Sequence, residues 1–111
     1  MQGLGAWILQ RISAVILIVL VAIHFGIMHF VDPTAEITFA ATSLRLKNVL
    51  YFLVDAGLLV IGLFHGLNGI RNILLDFFPR SGRAISTAAF LVGIIFTGYG
   101  ATALYAFLTI K

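Results

Sequence analysis

Cysteine is absent from this 111-residue chain, proline occurs twice, and charged residues make up only 10%. Without cysteine the chain can hold no disulfide, no thiolate zinc site and no iron–sulfur cluster of its own. Soluble domains carry about 25% charged residues, so the scarcity of charge argues against a water-soluble globule and against a disordered chain. With 61% hydrophobic residues and a mean hydropathy of +1.12, residues 1–111 are expected to form one small integral membrane domain.

Acidic residues are fewer than basic ones, four against seven, which gives a net charge of +3. Aromatic and basic residues do not interleave as they do in single-strand nucleic-acid binders, so a nucleic-acid partner is not expected. The sequence also lacks a phosphate-binding loop, a nucleophile triad and a metal-binding tetrad. Any chemistry would therefore be electron or proton transfer that uses cofactors.

Three apolar runs occupy most of the chain, at 12–31, 49–75 and 84–110. Each run reaches the about 20 residues that a membrane-spanning helix needs. Only helices and closed barrels satisfy the backbone in lipid, and these runs lack the strict alternation of barrel strands. The sequence therefore predicts an all-α fold with three transmembrane helices. The first run is too long for the apolar core of a secretory signal, and no clear cleavage site follows it.

Polar segments separate the predicted spans. Asp32-Pro33-Thr34 ends the first run, because proline cannot continue a helix and restricts the residue before it. The segment 78–82 predicts a short turn between the second and third runs. The connector 32–48 is amphipathic, with a predicted helix near 35–46.

Basic residues are distributed unequally between the two ends of the spans. Arg11, Arg80 and Arg83 fall on the side of the N-terminus, whereas the outer connector has Arg45 and Lys47. Because cytoplasmic loops are enriched in Lys and Arg, we expect the N-terminus to be cytoplasmic. The first span starts almost at the N-terminus without an obvious transit peptide, which favours a bacterial inner membrane.

Histidines inside the predicted spans need a reason, because ionisable groups in a membrane are costly and often functional. If Arg11 and Asp76 mark the inner boundary, His24 and His65 lie about 20 Å and about 16 Å from it, near mid-membrane. His29 lies near the outer interface and points to a different side of its helix from His24. We expect His29 to be an interface residue or a hydrogen-bond donor behind a ligand.

The second run carries a polar stripe on one helical face. From His65 the stripe continues through Asn68, Gly69, Asn72 and Asp76 at helical spacing. A histidine flanked by glycines near mid-membrane suits an axial ligand of haem iron, since glycine lets a flat ligand approach the backbone. The alternative is a histidine that is hydrogen-bonded to a neighbouring helix.

Other residues of the spans carry weaker signals. Arg11 and Arg71, nearer the inner surface, are candidates for pairing with haem propionates. Asp55 is expected to pack or to form a hydrogen bond, and Gly62-x-x-x-Gly66 is a helix-packing spacing. The third run has a helix-packing stripe of small residues: Ala89, Gly93, Thr97 and Ala101. Because bis-histidine ligation needs two facing helices, a partner subunit is implied.

Segments 65–77, HGLNGIRNILLDF, and 7–14, WILQRISA, carry a resemblance to a known family. They are similar to the second helix and to the entrance of the first helix in the small hydrophobic membrane-anchor subunits of succinate dehydrogenase, respiratory complex II. The anchor meant is the one that pairs with a separate cytochrome b subunit. With three spans in 111 residues, the resemblance covers essentially the whole chain.

The resemblance implies a non-catalytic subunit that forms half of a haem-binding anchor bundle. In that family, electrons from succinate oxidation in a flavoprotein pass through an iron–sulfur subunit to a quinone near the cytoplasmic membrane surface. The implied partners are a second anchor subunit (the cytochrome b subunit), the iron–sulfur subunit, the flavoprotein subunit and membrane lipid. The implied cofactors are haem b, one or two per complex and shared with the partner anchor, and a quinone.

The resemblance also implies roles for single histidines. His65 corresponds to the axial haem ligand of the anchor. Relatives with two haems use a further histidine in the first helix, so His24 is the candidate for a second, outer haem, with His29 as a substitute.

The same resemblance implies a quinone site. Asp76 corresponds to the acidic residue at the quinone pocket. Phe77 stands where some relatives have a tyrosine whose hydroxyl bonds the quinone, so menaquinone stays open beside ubiquinone. Ser13 and Arg11 match polar entrance positions near the propionates or the quinone.

Three other functions stay open from the sequence. A small proton-coupled transporter would use Asp55 or His65 as its coupling group. A purely structural anchor would bind no cofactor. A fumarate reductase anchor would have the same parts, because the direction of the reaction depends on the quinone and on the soluble subunits.

Overall fold

The computed structural model describes residues 3–31 and 38–109, and this part of the chain is helical throughout its regular elements. Its α-helices are α1 Leu4–Gly26, α2 Phe39–Leu46, α3 Val49–Phe77 and α4 Gly82–Thr109. A π-helical segment, Ile27–Val31, continues α1, and a 3₁₀ turn, Pro79–Ser81, joins α3 to α4. Three of the described helices are long and apolar enough to cross a membrane. The prediction of an all-α membrane fold is confirmed.

The first helix begins at Leu4, upstream of the predicted span at 12–31. Polar side chains near its start do not interrupt it, because their main-chain groups still form the helical hydrogen bonds. The guanidinium of Arg11 lies over the ring of Trp7 one turn earlier, 4.9 Å from the ring centre. Trp and Arg together are typical of the interface between membrane and water.

Side-chain caps define the connector helix and the start of the second span. The Thr38 hydroxyl accepts a hydrogen bond from the Ala41 amide at 3.1 Å, and the Asn48 side chain accepts one from the Leu50 amide at 3.0 Å. Such caps satisfy amides that have no partner within the helix. The observed α2 lies inside the predicted helix at 35–46. The predicted helix end at Asp32-Pro33-Thr34 lies outside the described residues.

Helix α2 is attached to the end of α4. The ring of Phe39 stacks on Phe107 with 4.4 Å between ring centres, and the hydroxyl of buried Ser43 donates to the main-chain carbonyl of Phe107. That carbonyl lies in the last turn of α4, where helices leave their acceptors unpaired. The connector therefore caps the third span and closes the end of the molecule opposite the N-terminus.

Helix α3 lies between α1 and α4, which do not contact each other within the described residues. Glycines allow the close approaches on both sides of α3. A Cβ added at Gly57 would lie 3.2 Å from Leu20 of α1, and one at Gly93 would lie 3.2 Å from Leu67 of α3. Small residues at such positions let membrane helices pack closely without a hydrophobic driving force.

Most large apolar side chains of the three long helices are exposed. In the part of the chain that the structure describes, the buried apolar side chains are Leu46 and Val54. A row of three helices leaves wide apolar faces, and apolar patches of this extent are covered by lipid or by other proteins. The fold therefore has the surface of a membrane subunit.

Candidate functional site

His65 lies in the middle of α3 with its ring against α1. The Nδ1 atom of its ring is 3.0 Å from the hydroxyl oxygen of Ser13, and Ser13 is 6% exposed. The Ser13 hydroxyl donates to the main-chain carbonyl of Gln10, also at 3.0 Å. A hydroxyl has a single hydrogen, so the bond to Gln10 leaves its oxygen as the acceptor for a hydrogen on Nδ1.

Gln10 joins the two helices next to this pair. The Gln10 side-chain nitrogen donates to the main-chain carbonyl of His65 at 3.2 Å. The Gln10 side-chain oxygen accepts from the side-chain nitrogen of Asn68 at 2.7 Å. A Cβ added at Gly69 would lie 3.4 Å from the Gln10 side-chain nitrogen, so glycine leaves room for Gln10. We name Gln10, Ser13, His65 and Asn68 the His65 cluster.

An apolar groove runs along α1 from the His65 cluster toward the opposite end of the molecule. Its volume is about 590 Å³. His65 lines it together with six residues of α1: Ala14, Leu17, Ile18, Val21, Ala22 and Phe25. Gly66, the next residue of α3 after His65, is exposed, and an added Cβ there would meet nothing within 4 Å. The groove can therefore receive a flat apolar ligand next to the histidine ring.

The predicted packing motif Gly62-x-x-x-Gly66 makes little contact inside this chain. A Cβ at Gly62 would lie 4.0 Å from Leu17, which is an ordinary contact distance, and Gly66 faces open space. The close approaches to α1 occur instead at Gly57 and Gly69. The helix surface at Gly62 and Gly66 is therefore not closely packed against the other described helices.

A second polar pair joins α1 and α3 nearer to α2, so His24 and His65 do not share one depth near mid-membrane as the sequence predicted. His24 Nδ1 is 2.9 Å from the Asp55 carboxylate, and the two side chains are 46% and 32% exposed. Arg45 and Tyr51 line the small cavity of about 20 Å³ beside the pair. The prediction that Asp55 packs or forms a hydrogen bond is met by this contact. Along the helix the pair lies about 16 Å from Ser13.

His29 lies apart from both pairs, within the π-helical segment. It is exposed, and its ring stacks on Phe25 with 4.2 Å between ring centres. In the described residues its ring has no other recorded partner. The structure therefore does not bring His29 to His24 or to the His65 cluster.

The two candidate propionate partners lie on different sides of the bundle. Arg71 donates from Nε to the Ser86 hydroxyl at 2.8 Å, so it faces α4. It lies about 120° around α3 from His65. Arg11 is exposed and stacks on Trp7. Pairing of either residue with a propionate stays a prediction.

The predicted quinone residues are not gathered within this chain. Asp76 and Phe77 are exposed at the end of α3, about 16 Å along the helix from His65. Ser13 is at the level of His65 and contacts its ring. Arg11, two residues earlier, is therefore about 13 Å along the helices from Asp76, and the assumption that these two residues mark one boundary is wrong. A quinone pocket that includes Asp76 and Phe77 would therefore need other subunits to complete it.

Sequence reasoning did not identify Gln10 or Asp55 as partners of specific residues. A usable signal was present in the spacing of polar residues. His24 comes 11 positions after Ser13, and His65 comes 10 positions after Asp55. Antiparallel helices with nearly equal spacings place both pairs in register, with Ser13 opposite His65 and His24 opposite Asp55.

Comparisons of the sequence with known proteins identify a family for this chain. Residues 2–101 match the family of succinate dehydrogenase/fumarate reductase transmembrane subunits. The chain is 31% identical over 96 residues to the succinate dehydrogenase 2 membrane subunit SdhC of Mycobacterium tuberculosis, covering 85% of this chain and 68% of that protein. It is 32% identical over 99 residues to a succinate dehydrogenase hydrophobic membrane anchor subunit of Archaeoglobus fulgidus, covering 85% of this chain and 84% of that protein.

No solved structure matches the chain significantly. The two relatives are named differently, so the choice between the hydrophobic anchor and its cytochrome b partner stays a prediction. The family model covers nearly all of the chain, and both relatives are membrane subunits of succinate dehydrogenase. The chain therefore belongs to the succinate dehydrogenase/fumarate reductase transmembrane-subunit family, as a membrane-anchor subunit.

Proposed function

We propose that this subunit binds the iron of a b-type haem through Nε2 of His65 and helps to form the quinone site of a succinate:quinone oxidoreductase. The observation that carries the proposal is the contact between Ser13 and His65 Nδ1 beside the apolar groove. Both curated relatives are named for succinate dehydrogenase, which supports succinate oxidation as the direction. The subunit itself performs no step on succinate.

The residues of the site fit a haem ligand. Histidines that bind metals use one ring nitrogen and donate a hydrogen bond from the other, which fixes the ring. His65 has this arrangement, because Ser13 engages Nδ1 and no partner is recorded for Nε2 within the described residues. The open space at Gly66 and the apolar lining of the groove suit a flat, apolar macrocycle. When bound, the haem would supply one-electron transfer at this depth of the membrane.

A second histidine for the haem iron would come from another chain. His24 and His29 lie far from the ring of His65, so one subunit does not provide two facing imidazoles. The wide exposed apolar faces of the three long helices provide surface for a second anchor subunit and for lipid. We place the iron–sulfur subunit, with the flavoprotein beyond it, at the end of the molecule that carries Asp76 and Arg80.

The quinone site belongs to the same end. Asp76 and Phe77 are exposed there. Arg11 lies on α1 between that end and the level of His65, and Ser13 contacts the His65 ring itself. Phe77 has no hydroxyl to donate to a quinone carbonyl, so another group must supply that hydrogen bond, and both menaquinone and ubiquinone stay open. Reduction of a quinone takes up two protons, and Asp76 lies at the edge of the membrane, where it can accept protons from water.

A second haem at His24 is the extension of this proposal. Asp55 engages Nδ1 of His24, and a carboxylate behind an imidazole is a common way to orient a metal-binding histidine. A count of haems per complex decides this extension. Two haems support His24 as a ligand, and one haem makes the pair with Asp55 a contact between helices.

The experiment is a reduced-minus-oxidised visible spectrum of the complex purified through this subunit, with a pyridine haemochrome count. His65→Ala should abolish the b-type signal of one haem while the subunits still assemble, because the iron loses an axial ligand. His29→Ala is the matched control, since His29 is exposed and its ring stacks on Phe25 away from the His65 cluster, and it should keep that signal. A fully assembled complex without haem would overturn the proposal and leave an anchor without a cofactor.

A further inference from the structure

Ser13 is one of the few buried polar side chains in the described part of the chain. It faces His65 from α1, and an alanine at this position would fill nearly the same space without the hydroxyl. Its hydrogen is directed to the Gln10 carbonyl, and its oxygen lies 3.0 Å from Nδ1 of His65. The direction of the first bond sets the direction of the second, because one hydroxyl hydrogen cannot serve both acceptors.

We propose that Ser13 is a positioning residue that holds His65 in the tautomer with hydrogen on Nδ1 and thereby tunes the reduction potential of the iron bound at Nε2. The inference rests on the proposed function, because it needs an iron at His65. It gives Ser13 a role through the histidine ring instead of a direct contact with a quinone. The tautomer matters because iron binds the nitrogen that carries a free lone pair.

The surrounding contacts make this arrangement rigid. Gln10 holds the main chain of His65 and the side chain of Asn68, so the turn of α1 that carries Ser13 is fixed against the turn of α3 that carries the ring. Ser13 also lies in the same helical turn as the carbonyl to which it donates. The hydrogen-bond chain from the His65 ring therefore ends on a main-chain carbonyl of α1.

An acceptor at Nδ1 changes the iron because it makes the imidazole a stronger electron donor. A stronger donor stabilises ferric iron and lowers the potential. A hydroxyl is a neutral, weak acceptor in comparison with a carboxylate, so it should lower the reduction potential less than a carboxylate at Nδ1 would. Loss of the Ser13 hydroxyl should therefore raise the potential of the haem at His65.

The test is spectroelectrochemistry of the assembled complex, with the haem followed by its absorbance at set potentials. In Ser13→Ala, the ratio of ferrous to ferric haem at a fixed potential should rise about threefold to tenfold, and tenfold equals about 59 mV for a one-electron couple. Ser13→Thr keeps a hydroxyl and should restore the wild-type ratio. The low-temperature electron paramagnetic resonance g values should shift in the Ala variant and return in the Thr variant.

Ser43→Ala is the matched control. Ser43 is also a buried serine that donates to a main-chain carbonyl, but it lies on α2 and far from His65. Its removal should leave the potential and the g values unchanged. If Ser13→Ala loses its haem, Ser13→Cys offers a weak sulfur acceptor of similar size, and the same upward shift is expected.

The outcomes separate the two proposals. If His65→Ala keeps its haem, the ligand assignment is wrong and Ser13 has nothing to tune. If His65→Ala loses the haem but Ser13→Ala keeps both the wild-type potential and g values, the positioning role is wrong while the ligand stands. A raised KM for quinone in Ser13→Ala without any change in the haem would assign Ser13 to the quinone site instead.

Discussion

At the scale of single residues, polar side chains occur in pairs that join α1 to α3. Ser13 with His65 and His24 with Asp55 lie at two depths of the membrane, and each pair satisfies groups that lipid cannot. A hydrogen bond between membrane helices stabilises by about 0.6 kcal/mol on average, because the separated helices also find partners. The two pairs therefore contribute little to stability, but they show which turns of α1 and α3 lie at the same depth.

The pair of His24 and Asp55 gives a prediction about stability. His24→Ala and Asp55→Ala should each lower the resistance of the assembled complex to unfolding in denaturing detergent, with a coupling of about 0.6–1.7 kcal/mol in a double-mutant cycle. Partial exposure of both side chains keeps the expected value toward the lower end. Additive effects of the two substitutions would contradict an energetic link between these residues.

At the scale of elements, the sequence predicted the three long helices and the turn near Pro79 well. Long apolar runs and proline report main-chain needs directly, so these predictions need no knowledge of neighbours. The contacts between helices were harder to predict from the sequence, because an apolar run has similar residues on every face of the helix. Gln10 could be assigned to His65 only after α1 and α3 were aligned as antiparallel neighbours.

The small-residue stripe of α4 shows how such a prediction drifts. Ala89, Gly93 and Thr97 line the groove between α3 and α4, as the stripe predicted. Further along α4, the close contact with α3 is at Gly100 instead of Ala101. A Cβ added at Gly100 would lie 2.6 Å from the Leu59 side chain. A step of four residues advances about 40° around a helix, whereas a step of seven returns to within about 20°. Gly100 therefore lies nearly above Gly93.

This contact gives a prediction about packing between α3 and α4. Gly100→Val should destabilise the pair of helices by about 1–3 kcal/mol, the usual cost of overpacking. Leu59→Ala should relieve part of that cost, because it removes the side chain that the new methyl groups meet. The measurement is the unfolding of the complex in detergent.

Gly98→Val is the control for that experiment. An added Cβ at Gly98 meets nothing within 4 Å, so the substitution should cost less than Gly100→Val. Equal losses from Gly98→Val and Gly100→Val, with no relief by Leu59→Ala, would mean that the approach at Gly100 does not set the helix spacing.

At the scale of the whole molecule, the fold separates its two ends by chemistry. The end with the N-terminus carries Asp76 and the α3–α4 turn with Arg80, whereas α2 closes the other end against the last turn of α4. Ser13 and His65 lie between the middle and the N-terminal end, and His24 and Asp55 lie nearer to α2. A haem at His65 would therefore be close to subunits bound at the N-terminal end, which suits electron entry from that side.

The predicted orientation, with the N-terminal end in the cytoplasm, can be measured directly. The absence of cysteine from the chain allows single cysteines to be labelled without background. Lys47→Cys, at the end of α2, should react with an impermeant maleimide on intact spheroplasts, because the outer end faces that reagent. Ser81→Cys, in the turn between Arg80 and Arg83, should react only in inverted or permeabilised membranes, since basic residues favour the cytoplasmic side. Labelling of Ser81→Cys on intact spheroplasts, with Lys47→Cys protected, would reverse the orientation and move the proposed site for the iron–sulfur subunit to the end that carries α2.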